Sequence, residues 1–214
     1  MFGAIARTQW KWTRSVVVLA SIAAFGLPLA SLQSARDTNT PQEFIARMQG
    51  WGVGYALLAA GVGLLIALAA WGQDHQGRHV YALTLPVTRA RYTLLRFGSG
   101  ALFLLLPVTA VLIGSLAVTA SGAIPNGLHA FPVSLTLRFA FAAAVSYALF
   151  FAIGSATTKT AAIVLGVIAA LFMSQYLLEV LGLHYDLLSR VADFVFVRPG
   201  ILSVFSGRWM LVDV

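Results

Sequence analysis

Five long runs free of charged residues divide this chain and set its architecture. No Asp, Glu, Lys or Arg lies between Arg14 and Arg36, Arg47 and Asp74, Arg96 and Arg138, Arg138 and Lys159, or Lys159 and Glu179. A helix of about 20 predominantly apolar residues crosses roughly 30 Å of hydrocarbon, and each run is long enough for one crossing. Gly122, Pro125 and Asn126 interrupt the third run, and its far side leads into the fourth span. The pattern therefore predicts spans over 15–33, 51–72, 98–120, 135–155 and 160–179. A β-barrel would show short segments of alternating polarity. Stretches such as Ala56-Leu-Leu-Ala-Ala and Leu64-Leu-Ile-Ala-Leu are continuous instead. The expected fold class is all-α, a polytopic transmembrane helix bundle of five complete spans forming one domain over residues 1–214.

The polar segments between the spans carry the remaining organisation. Residues 1–14 set Phe2, Ile5, Trp10 and Trp12 among Arg7, Lys11 and Arg14, which suits a short amphipathic helix lying along a membrane surface. Trp10, Lys11, Trp12 and Arg14 are its membrane-interface residues, because indole rings favour the headgroup level and cations face anionic lipid. The apolar run over 15–32 is long for a signal peptide and further spans follow, so it reads as an uncleaved first span. Gly26 and Pro28 are placed to kink its outer half. Residues 34–50 read as a polar loop, and Gly50 with Gly54 forms a GxxxG pair that permits close helix approach. Residues 180–214 form a mixed tail, whose amphipathic stretch 185–197 is too interrupted by Asp186, Arg190 and Asp193 to span.

Charge orients the bundle. The amino-terminal segment has three cations and no anion, the 73–97 loop sets Arg78, Arg89, Arg91 and Arg96 against Asp74, and Lys159 marks the fourth turn. These three segments share one side if there are five spans, and the positive-inside rule makes that side cytoplasmic. The tail is then expected outside. The net charge of +7 follows from this arrangement and does not call for a nucleic-acid partner. With no cysteine in the chain, a disulfide, a thiolate nucleophile and a Cys-based metal site are excluded.

The most polar interior segment runs from Asp74 to Arg96. Val80, Leu83 and Val87 share a face, Pro86 ends that helix, and Thr88 is placed to cap the next, which continues into the third span. The residues alone fit both a docking surface for lipid or protein and a plain interspan linker. No Gly-x4-Gly-Lys-Ser/Thr loop is present, so ATP would have to bind another chain. No His-Glu-x-x-His motif, Ser-His-Asp arrangement or pair of intramembrane carboxylates stands out. His75 and His79 share a helical spacing but lack a third ligand beyond Asp74, so no metal site is expected; His129 and His184 read as loop or interface residues. Arg138 and Glu179 sit near predicted span ends, where snorkelling accounts for them. Ser146, Tyr147, Ser174, Gln175 and Tyr176 put polar groups within the fourth and fifth spans, either along a substrate path or as interhelical hydrogen-bond partners.

The arrangement resembles the membrane-spanning permease subunits of type 2 ABC exporters. Those permeases begin with an elbow helix bearing aromatic and basic residues, as in Trp10-Lys-Trp-Thr-Arg14. After the second span they carry an acidic residue, a glycine and a Leu-Pro-Val-Ser/Thr-Arg element, which here are similar to Asp74, Gly77 and Leu85-Pro-Val-Thr-Arg89. Arg78 departs from the small hydroxyl residue often found after the glycine. The resemblance implies that 74–96 is a coupling loop docking into a separate ATPase subunit, through Asp74, Gly77, Arg78, Leu85, Pro86 and Arg89. It implies a non-catalytic transport subunit without a cofactor of its own, with ATP and Mg held by the partner ATPase. A second copy or a similar permease would complete a dimer in the cell membrane, as a multi-pass protein of a bacterial inner membrane. The family has six spans, so the resemblance also implies a chain cut short before a sixth. The alternative is a non-transport scaffold or accessory subunit of a larger membrane complex.

Overall fold

The computed structural model describes residues 2–38, 40–76, 88–155, 200–206 and 209–213, together with 163–164, 166–167, 169–170, 173–174, 190–191 and 193–194. Among the described residues the chain is largely helical, and four helices are long and apolar enough to cross a membrane. They comprise α1 (Phe2–Ala35), α3 (Gly52–Gln76) following a short α2 (Pro41–Gly50), α4 (Arg89–Ala120) and α5 (Pro132–Ser155). Two-residue strands β1 (His129–Ala130) and β2 (Val212–Asp213) and a 3-10 helix (Ile201–Phe205) complete the described elements. Of the fifth predicted span, 160–179, all eight described residues are helical. The chain divides into two units, Met1–Phe151 with Arg208–Val214, and Ala152–Gly207.

The elbow is not a separate element. The expected break near residue 14 is absent, and α1 runs as one helix of 34 residues. The sequence explains this. No Gly or Pro falls between Ala4 and Phe25, and the buried positions Gln9, Thr13, Val17, Ala20, Ala24, Pro28 and Leu32 continue in one helical stripe across the expected joint. At 1.5 Å per residue α1 is about 51 Å long, against roughly 30 Å of hydrocarbon. About fourteen residues are surplus to a crossing, which matches the length of the cationic first segment.

Residues 34–50 also differ from the expected loop, since 41–50 form α2. Thr40-Pro-Gln-Glu43 has the capping-box sequence with Pro at the first helical position, and Glu43 turns its carboxylate to Arg47 at 3.1 Å. Thr40 is extended, and its hydroxyl accepts the Glu43 amide at 3.3 Å. Phe44 and Met48 are buried. Arg47 donates to the Ser34 carbonyl at 3.2 Å, and the Trp51 indole donates to the Ser34 hydroxyl at 2.9 Å, so α2 is fastened to the end of α1.

Side-chain contacts fix the directions of the helices in the first unit. Phe2 meets Gly98, Gln9 meets Ser99, Trp10 meets Phe103 and Phe25 meets Gly114, so α1 and α4 run parallel. Ser34 meets Trp51 and Leu27 meets Gly54, so α3 runs back along α1. Ser146 bonds the Ala60 carbonyl, Gly63 faces Tyr147 and Trp71 meets Phe151, so α5 runs with α3. The amino-terminal end of this unit thus gathers 2–14, 71–76, 89–100 and 147–151; the far end gathers 31–55, 118–138 and 209–213.

The close-approach glycines are not the predicted GxxxG pair. A Cβ on Gly50 would meet nothing within 4 Å, and one on Gly54 would make ordinary contact with Leu27 at 3.6 Å. Tight positions include Gly63, where a Cβ would stand 2.6 Å from the Tyr147 backbone nitrogen, and Gly114, where it would stand 2.6 Å from the Phe25 carbonyl oxygen. Both distances are too short for any side chain, so backbone-to-backbone packing requires glycine there. Pro28 and Pro107 both lie inside helices. Large apolar side chains face outward on all four long helices, including Leu19, Leu57, Leu94 and Phe141, the surface expected of a bundle whose solvent is lipid.

Candidate functional site

The segment predicted to dock connects α3 to α4 in the sequence. Asp74 lies in the last turn of α3, and Arg89 opens α4. Thr88 holds the predicted cap position with extended backbone, without a side-chain cap bond. Gly77, Arg78, Leu85 and Pro86 lie outside the described residues, as do the side chains of Asp74 and Arg89.

Where α3 ends and α4 begins sits a buried charge, one that the sequence presents only as loop charge. Arg96 is 7% exposed. Its guanidinium lies 5.2 Å from the Trp71 ring centroid and 5.4 Å from that of Tyr92, and it donates to the Tyr92 hydroxyl. A guanidinium is weakly hydrated and stacks on aromatic faces, which makes it the cation best suited to burial. Trp71 belongs to the end of α3, Tyr92 and Arg96 to the start of α4, so the contact couples the two helix ends that carry the predicted docking segment. Trp71 and Phe97 each pack on Phe151, at 5.1 Å, extending the aromatic cluster to α5. On the α1 side Ser99 hydrogen-bonds the Gln9 side chain and the Arg96 carbonyl, the latter at 2.9 Å. The Gln9 Nε2 and Trp71 Nε1 groups are buried without a hydrogen-bond partner. The Tyr92–Arg96 spacing of four residues and the 3.6-residue stripe through Gln9 were the available signals for this cluster. A run of basic residues conceals which one turns inward.

The predicted interface residues line the first turns of α1. Trp10 is half-buried against Phe103, with ring centroids 5.3 Å apart, while Lys11, Trp12 and Arg14 are exposed. Arg7, Lys11 and Arg14 share one face by their helical spacing, and all three are exposed.

The predicted polar residues of the fourth span are engaged between helices. Ser146 donates to the Ala60 carbonyl at 2.8 Å, and Tyr147, fully buried, donates to the Phe97 carbonyl at 3.0 Å. Gly100 leaves the room that the Tyr147 hydroxyl occupies; a Cβ there would overlap it. Ser174 is half-buried in a helical segment of the second unit, and Gln175 and Tyr176 lie outside the described residues.

The far end has its own cluster. β2 pairs antiparallel with β1, in the register His129 opposite Asp213 and Ala130 opposite Val212. The Phe131 amide donates to the Leu211 carbonyl at 2.8 Å. Trp209 packs on Gly52, where a Cβ would stand 3.3 Å from its own, and the Arg138 guanidinium lies 4.9 Å from the Trp209 ring centroid. The expected snorkelling of Arg138 therefore ends on an aromatic face. Among the described residues, no three His, Asp or Glu side chains stand close enough to hold a metal ion. No protein-family model, curated protein or solved structure matches the chain.

Proposed function

We propose that the chain is the membrane-spanning permease subunit of an ATP-driven exporter of the type 2 ABC kind, coupled to a separate ATPase through residues 74–96. The observation that carries this reading is the union of one sequence element with one geometric one. Asp74, Gly77 and Leu85-Pro-Val-Thr-Arg89 follow the coupling-loop pattern, and the helices that flank them are joined by the Trp71–Arg96–Tyr92 contact. A push on the loop would reach α3, α4 and, through Phe151, α5 together.

The same end of the first unit carries Arg7, Lys11 and Arg14 on α1, which supports a cytoplasmic amino terminus by the positive-inside rule. The surplus turns of α1 would do the work of an elbow, projecting into the interface. A fifth crossing by 160–179 is supported by the positions of its flanks. Phe151 lies at the amino-terminal end of the first unit and Val212 at the far end, which a fifth crossing would account for. A second permease copy, ATP and Mg on the partner subunit and a bacterial inner membrane complete the proposal.

The test is co-purification of the ATPase from solubilised membranes after Gly77→Val, Pro86→Ala and Arg89→Glu are combined. The expected result is loss of the ATPase with the permease still inserted. Unaltered co-purification would favour the scaffold reading.

A further inference from the structure

We infer that residues 209–213 form a releasable strap sealing the far end of the helix bundle. This deepens the exporter reading and rests on it only for what the seal would control. The strap reaches three separated parts of the chain. Trp209 covers the start of α3 at Gly52 and lies under Arg138 from the second turn of α5. Leu211 and Val212 pair with β1 and Phe131, in the connection between α4 and α5. Trp209, Leu211 and Val212 are 4%, 2% and 0% exposed, so the strap is embedded, not laid over the surface. The helix ends it joins are therefore those that would have to separate if the bundle opened on this side.

The strand pairing is short for so central a place. The ladder is two residues long, and an isolated two-stranded pairing is marginal in water. The connection before it turns through Gly122 and Gly127, both with positive φ, at 63° and 92°. The strap is seated by the burial of Trp209, Leu211 and Val212, with the Arg138 guanidinium over the Trp209 ring. Segments with few backbone bonds open at lower free energy than the helices around them. Embedded apolar side chains on a short strand pairing make a part that seats firmly and leaves as a unit.

The lack of cysteine makes a direct test possible, because any introduced thiol is the sole one. Phe131 and Leu211 share a backbone bond, which makes Ala130 and Val212 a non-hydrogen-bonded pair. Such pairs have Cα atoms about 4.5 Å apart, within the range a disulfide bridges. The first measurement is the labelling rate of Val212→Cys in oriented vesicles by a membrane-impermeant maleimide, against exposed Gln42→Cys on the same end. The expected rate is at least tenfold slower, labelling still runs to completion, and adding Trp209→Ala or the milder Arg138→Gln brings it within threefold of the control. Equal rates with Trp209 intact, or a Val212→Cys rate that neither substitution changes, would overturn the seal. A thiol still unlabelled after a hundredfold longer exposure would overturn release. The second measurement oxidises Ala130→Cys/Val212→Cys in the complex with its ATPase. The expected result is at least a fivefold fall in ATP hydrolysis, restored by reductant; an unchanged rate makes the strap a fixed staple. If no ATPase associates, the exporter reading fails, and the labelling rates still decide the strap.

Discussion

The two ends of the first unit are held together by different means. At the amino-terminal end, side chains remote in sequence do the work: Gln9, Trp71, Arg96 and Tyr147 come from four helices, and one of them brings a buried positive charge. At the far end, local rules set the caps and turns, and long-range ties run through residues 209–213. Thr40 caps α2, Arg47 and Trp51 tie it to Ser34, and glycines with positive φ turn the chain into β1. The difference teaches where each end tolerates change. An arrangement of interlocked aromatic side chains fails as a block, whereas a set of caps and turns fails piece by piece.

Substitutions that add volume should separate the ends most sharply. Gly100→Val puts a side chain where the Tyr147 hydroxyl stands, and overpacking of this kind costs about 3 kcal/mol. Thermal unfolding in detergent should show a large fall in Tm, with the protein lost from the monodisperse peak. Arg96→Met keeps the length but removes the contacts to Tyr92 and Trp71. The expected loss is about 2 kcal/mol, and Arg96→Lys should not restore it because a point charge does not stack as a planar fork does. Thr40→Ala removes one cap at the far end, at about 1 kcal/mol, read as faster hydrogen exchange in α2 alone. Smallest is Gly50→Ala, where a Cβ meets nothing within 4 Å. Relief of glycine's backbone entropy should raise stability by about 0.5 kcal/mol, a gain in Tm opposite in sign to the loss at Gly100.

This contrast also explains what could be read from the sequence. The four described spans follow from charge-free runs, since the hydrocarbon thickness fixes their length whatever their neighbours are. The boundary at Ala120, the helix start after Thr88 and the break around Gly122 were equally legible, being local. The capping-box sequence at Thr40-x-x-Glu43 was there to be read, but the charges around it suggested a loop. The elbow failed for a different reason: amphipathic composition suggested a helix end where the buried stripe through Thr13 and Val17 shows none. Gly63, Gly100 and Gly114 could not be singled out from the other glycines, because what makes them necessary is a partner helix. The same holds for Arg96, inward among outward cations, and for Trp209, whose slot is built from Gly52 and Arg138.

The unbroken first helix has a mechanical consequence. An elbow would absorb a push as bending at a joint, and little would pass beyond residue 14. A single rod behaves as a lever, so motion at Arg7 arrives at Ala24 with its direction kept. Compliance is left at Pro28, whose missing N–H leaves the Ala24 carbonyl without its helical donor. Force applied at the cationic end would therefore be delivered past the middle of the bundle before the rod could flex.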